Sequence, residues 1–142
     1  MRGVDDLTAK EYLLSIKNTS KKIVVLNEEL ATIRADKDNM KSVQISEKVK
    51  SSVTYANALD ELMDREKEVI QEKRAVYSEW WRCRAWLKKI SNREYSDVLR
   101  YYYLLNTKTW EKVAKKMHVS ERRIYKIHGE ALEEFRKITG LS

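Results

Sequence analysis

At 142 residues the chain is long enough for one ordinary domain, or for a small domain with an extended element attached. It has no proline and only three glycines, so the strongest helix breakers are nearly absent, and its Leu, Lys, Glu and Ala content reads as all-α. Twenty-nine Lys and Arg against 22 Asp and Glu give a net charge of +7, which favours an anionic partner, nucleic acid or a membrane surface.

The single cysteine, Cys83, excludes an intramolecular disulfide. Beside it stand only His118 and His128, too few for a zinc site, so no metal or other cofactor is expected. No stretch approaches the roughly eighteen apolar residues of a membrane span. The opening MRGVDDLTAKEYLL carries two aspartates where a signal peptide is basic. The expectation is a soluble, cytoplasmic protein without membrane contact.

Taken in chain order, residues from about 6 to 38 read as one long helix. Ile16, Thr19, Ile23, Leu26, Leu30, Ile33, Lys37 and Met40 recur at alternating steps of three and four, the spacing of a coiled-coil seam. DNMKSVQISEKVKSS, residues 38–52, is polar and serine-rich and is read as a connector. A second long helix is expected over residues 53–90, with Leu59, Leu62, Met63, Val69, Ile70, Val76, Tyr77, Trp80 and Leu87 as its apolar stripe. Its carboxylates stand beside opposite charges at i, i+3 and i+4, as on a solvated helix face rather than in an acid–base pair. The seam of the first helix must be buried, either as an antiparallel hairpin on the second or against another chain. Doubling the contacts of a small binding module favours a homodimer.

WWRCRAWLKKI, residues 80–90, interleaves three tryptophans with Arg82, Arg84, Lys88 and Lys89. Such a pattern can stack single-stranded bases. More commonly the rings pack into a small core while the cations follow its edge, and Trp80 with a neighbour is expected there. Residues 92–105 form a third expected helix, capped by Ser91 or Asn92 with help from Glu94. Of Tyr101, Tyr102 and Tyr103, one or two are expected to be buried. The turn NTKT, residues 106–109, leads into a short helix ending at Met117, capped by Thr107 or Thr109. A last helix follows from Ser120 to Thr139, with Gly140 as its stop.

The pair around WEKVAKKMHVSERRIYKIHGEAL, residues 110–132, carries the functional signal. Two helices that cross steeply over a short turn need a small residue at the crossing, and Ala114 supplies it. Val113, Met117, Val119, Ile124 and Ile127 supply the apolar frame. His118 fits the turn position that demands a left-handed backbone. Ser120 caps the second helix and leaves its N–H groups disposed toward phosphate. Outside the packing stripe stand Glu121, Arg122, Arg123, Tyr125, Lys126 and Gly129, residue types suited to base edges and phosphates in a major groove.

From about residue 80 onward, and most strongly over the last forty-five or so, the chain resembles region 4 of the sigma-70 class. It resembles more closely the sigma-like phage transcriptional regulators of Gram-positive bacteria, the ArpU/RinA-type late regulators. The residues behind this are Val98, Leu99, Arg100, Tyr101 and Tyr102, then TWEKVA after the turn, then VSERRIYKIHGEAL; upstream, KSVQISEKVKSSV resembles the short stretch before the long helix in such proteins. The resemblance implies that Ser120, Glu121, Arg122, Arg123, Tyr125 and Lys126 contact double-stranded DNA. It also implies a phage-encoded activator acting with host RNA polymerase in a bacterial cell. Sigma region 4 favours Arg and Gln where Tyr125 and Lys126 stand, so a sigma-type promoter preference does not carry over.

The expected organisation is an assembly region of long helices over residues 1–79 and a sigma-region-4-like helix-turn-helix domain over 80–142. Two other functions fit the same pattern: a DNA-packaging protein of the small-terminase type, and a coiled-coil adaptor that binds polymerase without DNA. An enzyme is the least supported class, for no nucleophile–base pair, metal set or phosphate-cradling glycine loop is present.

Overall fold

The computed structural model describes residues 7–46 and 52–142, with side chains described over 7–42 and 53–142. Every regular element among the described residues is helical. In order these are α1 (Ala9–Ser46), α2 (Ser52–Lys88), α3 (Arg93–Leu99), a π-helical turn (Arg100–Leu104), α4 (Trp110–Met117) and α5 (Glu121–Thr139). No described helix is long and apolar enough to cross a membrane. The chain divides into two compact units, Lys22–Val76 and Met1–Lys21 with Tyr77–Ser142.

Thr8 starts α1, its hydroxyl accepting from the Glu11 N–H at 3.1 Å, an N-cap with an acidic residue in the first turn. The helix then runs through residues 38–46, where the sequence reads as a connector. Two facts explain the continuation. No Gly or Pro interrupts residues 38–46, so the serines and β-branched residues cost only a few tenths of a kcal/mol each. Lys37 and Met40 also keep the seam half-buried to its last position. The connector proper, residues 47–51, lies outside the described residues, as do Asp5 and Asp6.

Within the unit Lys22–Val76, α1 and α2 form an antiparallel hairpin. Leu26 and Leu30 are buried with Val69, and Arg34 and Lys37 both pair with Glu66, at 3.3 and 3.2 Å. Rising numbers on α1 thus meet falling numbers on α2. Leu26 and Leu30 of the seam are thus buried within the chain, while Ile33, Lys37 and Met40 stay half-buried.

The other unit has the larger core, with Leu13, Ile16, Cys83, Leu87, Val98, Leu99, Tyr103, Val113, Ile124 and Phe135 essentially fully buried. The first turns of α1 belong to it: Ala9, Tyr12, Leu13 and Ile16 pack in the same cluster as the C-terminal helices. Asn92 caps α3, its side chain accepting from Tyr95 N–H, while Glu94 turns away to Arg123. Cys83 is buried, which pushes its thiol up to about 12, so it stays protonated and unreactive at neutral pH.

The expected third helix changes character at Arg100. Leu105 N–H reaches back five residues to the Arg100 carbonyl (2.9 Å) and Thr107 N–H six residues to Tyr101 (3.0 Å). This widened turn buries Tyr103, leaves Tyr101 and Tyr102 half-buried, and strips the next carbonyls of helical partners. Donors from elsewhere fill them. Lys17 donates to Tyr102 O (2.8 Å) and Thr107 O (2.9 Å), Ser20 to Leu104 O (2.8 Å), and the Trp80 indole to Leu104 O (3.1 Å).

Between α4 and α5 the backbone follows its sequence cues closely. Thr109, rather than Thr107, caps α4 through Lys112 N–H. His118 adopts φ 57° and ψ 40°, the left-handed conformation, and its N–H and that of Val119 close on Lys115 and Ala114 carbonyls. Ser120 caps α5 by accepting from Arg123 N–H, and Gly140 ends it at φ 75°. Ala114 is 3% exposed among Val113, Ile124 and Ile127.

Ala114→Leu is expected to lose roughly 1–3 kcal/mol through overpacking. His118→Val, which places a β-branched side chain at a left-handed backbone position, is expected to lose about 1–2 kcal/mol. Urea denaturation of the two variants against the parent chain measures both.

Candidate nucleic-acid interface

The apolar face of α5 is Ile124, Ile127, Ala131, Leu132 and Phe135, all buried, and it fixes which residues point away. Ser120, Glu121, Arg122, Arg123, Tyr125 and Lys126 are all exposed, so the expected contact set shares the first two turns of the helix and its cap. They are not equivalent. At 100° per residue, Arg122, Lys126, Gly129 and Glu133 lie along the line opposite the core. Arg122 and Lys126 make no ion pair among the described residues. Arg123 lies at the flank, its guanidinium 3.3 Å from the Glu94 carboxylate of α3. Both partners are about half exposed, so this bridge orients Arg123 more than it stabilises the fold.

Tyr125, 51% exposed, rests on a ring assembly that the sequence reading did not identify. Its ring lies 6.0 Å from Trp110, which stacks on Tyr102 at 3.9 Å with an interplanar angle of 12°. Lys17 covers the Tyr102 ring at 3.8 Å, and burial lowers its ammonium pKa to about 8. His128 leans on Trp110 at 4.3 Å and hydrogen-bonds the buried Tyr103 hydroxyl through Nε2 at 2.8 Å. Burial, with Lys10 adding to it, depresses the His128 pKa to about 4. The only sequence signal for this assembly is the pairing of Tyr102 and Trp110 across an eight-residue gap, which no periodicity rule reads.

Charge changes sign along the outward line of α5. Arg122 and Lys126 give way after Gly129 to Glu133, which pairs with Arg136, while Glu130 on the flank accepts from the Tyr95 hydroxyl at 2.7 Å. Gly129 is exposed, and a methyl group added there would meet nothing within 4 Å. The fold therefore does not require a glycine at this mid-helix position.

The basic–aromatic stretch of residues 80–90 divides. Trp80 is half-buried at the core edge, and Trp86 is half-buried beneath Lys89 (4.5 Å). Trp81 stays 54% exposed, with the Arg84 guanidinium 5.2 Å from its ring. Among the described residues no group of three or more His, Cys, Asp or Glu side chains could hold a metal ion. Comparison with protein-family models, curated proteins and solved structures finds no match to this chain.

Two outcomes test this local picture. Gly129→Ala should raise the melting temperature by roughly 4 °C, the effect of about 1 kcal/mol of helix propensity in a chain of this size. The His128 pKa lies below its unfolded value, so its contribution is intact above about pH 6.5 and declines as pH falls toward about 4. The loss should approach about 1.4 kcal/mol per pH unit inside that window. His128→Gln, which keeps an acceptor for Tyr103, should flatten this acid limb in denaturation curves taken from pH 7 to pH 4.

Proposed function

We propose that the protein is a sequence-specific double-stranded-DNA-binding transcriptional regulator that inserts the first two turns of α5 into the major groove. In this reading α4, the turn of residues 118–120 and α5 form a helix-turn-helix. The resemblance to sigma-like phage regulators points to late-gene activation with host RNA polymerase. The observation that carries the reading is the exposure of Arg122, Tyr125 and Lys126 on one face, beside a turn locked by His118 and capped by Ser120.

Each residue has a distinct part. Arg122 has the planar, bidentate donors that recognise guanine O6 and N7, and Lys126 supplies a point charge for phosphate. Glu121 can accept from cytosine N4. Tyr125 has a ring edge and a hydroxyl to offer a base or the backbone, held in orientation by Trp110 beneath it. Arg123, bridged to Glu94, suits a flanking phosphate. Past Gly129 the helix carries Glu130 and the paired Glu133 and Arg136, so the unpaired positive charge of Arg122 and Lys126 is confined to its first two turns. At Gly129 the bare backbone lets a phosphate chain cross close to the helix.

A gel-shift titration with fragments of the cognate phage genome tests the proposal. Arg122→Ala with Lys126→Ala should abolish specific binding, a loss of about 2–4 kcal/mol or more, while circular dichroism stays helical. Lys126→Ala alone should weaken all sequences alike and reduce the log–log salt slope by about one. Unchanged affinity in the double variant would refute the contact set, and no salt-dependent duplex binding at all would favour an adaptor role.

A further inference from the structure

Along one edge of the seam in the hairpin unit Lys22–Val76, apolar side chains remain accessible. Leu26 and Leu30 point into the seam, but Val25 remains 53% exposed and Val24 55%. A groove of about 570 Å³ passes Val25, Ile33 and Leu62. It shares Leu62 and Asp36 with a second hollow of about 510 Å³ that extends to Met40 and Tyr55. Along α1 the stretch from Val25 to Met40 is about 22 Å, the length of a helix of about fifteen residues.

The rim of this groove is acidic. Glu28, Glu29, Asp36, Glu68 and Glu72 line it against Arg65 alone, and the Arg65 guanidinium is turned to Glu61. None of the five carboxylates makes an ion pair among the described residues, whereas Glu66, outside the groove lining, is held by two cations. Glu68 and Glu72 stand four apart on one helix, a like-charge spacing that destabilises an isolated helix by a few tenths of a kcal/mol. A chain with a surplus of seven positive charges thus keeps uncompensated negative charge around an apolar floor.

We propose that this groove docks a cationic amphipathic helix of a second protein. Apolar side chains at i, i+3 or i+4 and i+7 of that helix seat on Val25, Ile33 and Leu62, and its flanking Lys and Arg neutralise the rim carboxylates. A second copy of this chain is the poorer occupant. A two-fold interface brings the same patch to itself, and here that sets five carboxylates against five. The groove shares no residue with the α5 face proposed above to read DNA.

The test uses the full chain and fluorescein-labelled eighteen-residue peptides of Leu and Lys, or Leu and Glu, in an amphipathic helical pattern. Anisotropy should show salt-sensitive binding of the Lys peptide and none of the Glu peptide. Leu62→Lys and, separately, Glu68→Lys with Glu72→Lys should each weaken the Lys peptide at least tenfold, with helicity and duplex affinity unchanged. Undiminished binding in the double charge reversal would overturn the proposal. So would sizing chromatography in which the parent chain is a dimer and Leu62→Lys a monomer, since a second copy would then be the occupant.

Discussion

The carbonyls of Tyr102, Tyr103 and Leu104 set the constraint on which the larger unit depends. The π-helical turn leaves them without backbone donors, and unpaired buried carbonyls carry a penalty of the order of 1–3 kcal/mol each. Lys17, Ser20 and the Trp80 indole relieve it, with Ser20 also 3.2 Å from Tyr103 O. These donors come from the first helix and the end of the second. The widened turn therefore ties three separate stretches of chain together by geometry that is more directional than apolar burial. Tyr102, fixed in this way, becomes the floor on which Trp110 stacks, and Trp110 in turn supports Tyr125. A residue on the outward side of α5 is held in place by a lysine in α1, through two rings.

The α4–α5 pair was the most legible part of the sequence because its determinants are local. Ala114 is small where the helices approach, His118 takes the left-handed position, and Ser120, Thr109 and Gly140 act within three or four residues of the groups they satisfy. Each of those features can be read from neighbours in the chain. The seam of α1 was legible for a related reason, since Ile16, Ile23, Leu26 and Leu30 repeat at a spacing that only one helix face can satisfy.

What escaped the sequence reading was long-range or depended on absence. Lys17 and Ser20 are polar residues on a helix with many polar positions, and their partners stand more than eighty residues away. Nothing in the local pattern distinguishes them from solvated side chains, so the docking of the first turns of α1 on the C-terminal helices had no signal. Residues 38–46 read as a connector because they are polar and serine-rich, yet neither Gly nor Pro stands there to end α1 before Ser46. Arg123 and Glu94 each carry a local signal in the sequence, one on the outward side of α5 and one in the first turn of α3. Their bridge required knowing that α3 and α5 are adjacent.

Net charge conceals the arrangement of charge. The total of +7 governs the far field, but at physiological ionic strength screening acts over about 8 Å, so a docked ligand responds to charges in its immediate neighbourhood. The α5 face offers Arg122 and Lys126 and then reverses sign; the hairpin groove offers five carboxylates around apolar side chains. A phosphate is attracted by the first of these local fields and repelled by the second, and a basic peptide the reverse. Such repulsion discriminates between partners without any increase in affinity. Acidic residues in a basic chain therefore need not be read as mere solubilising charge: where they stand decides which local field a ligand meets.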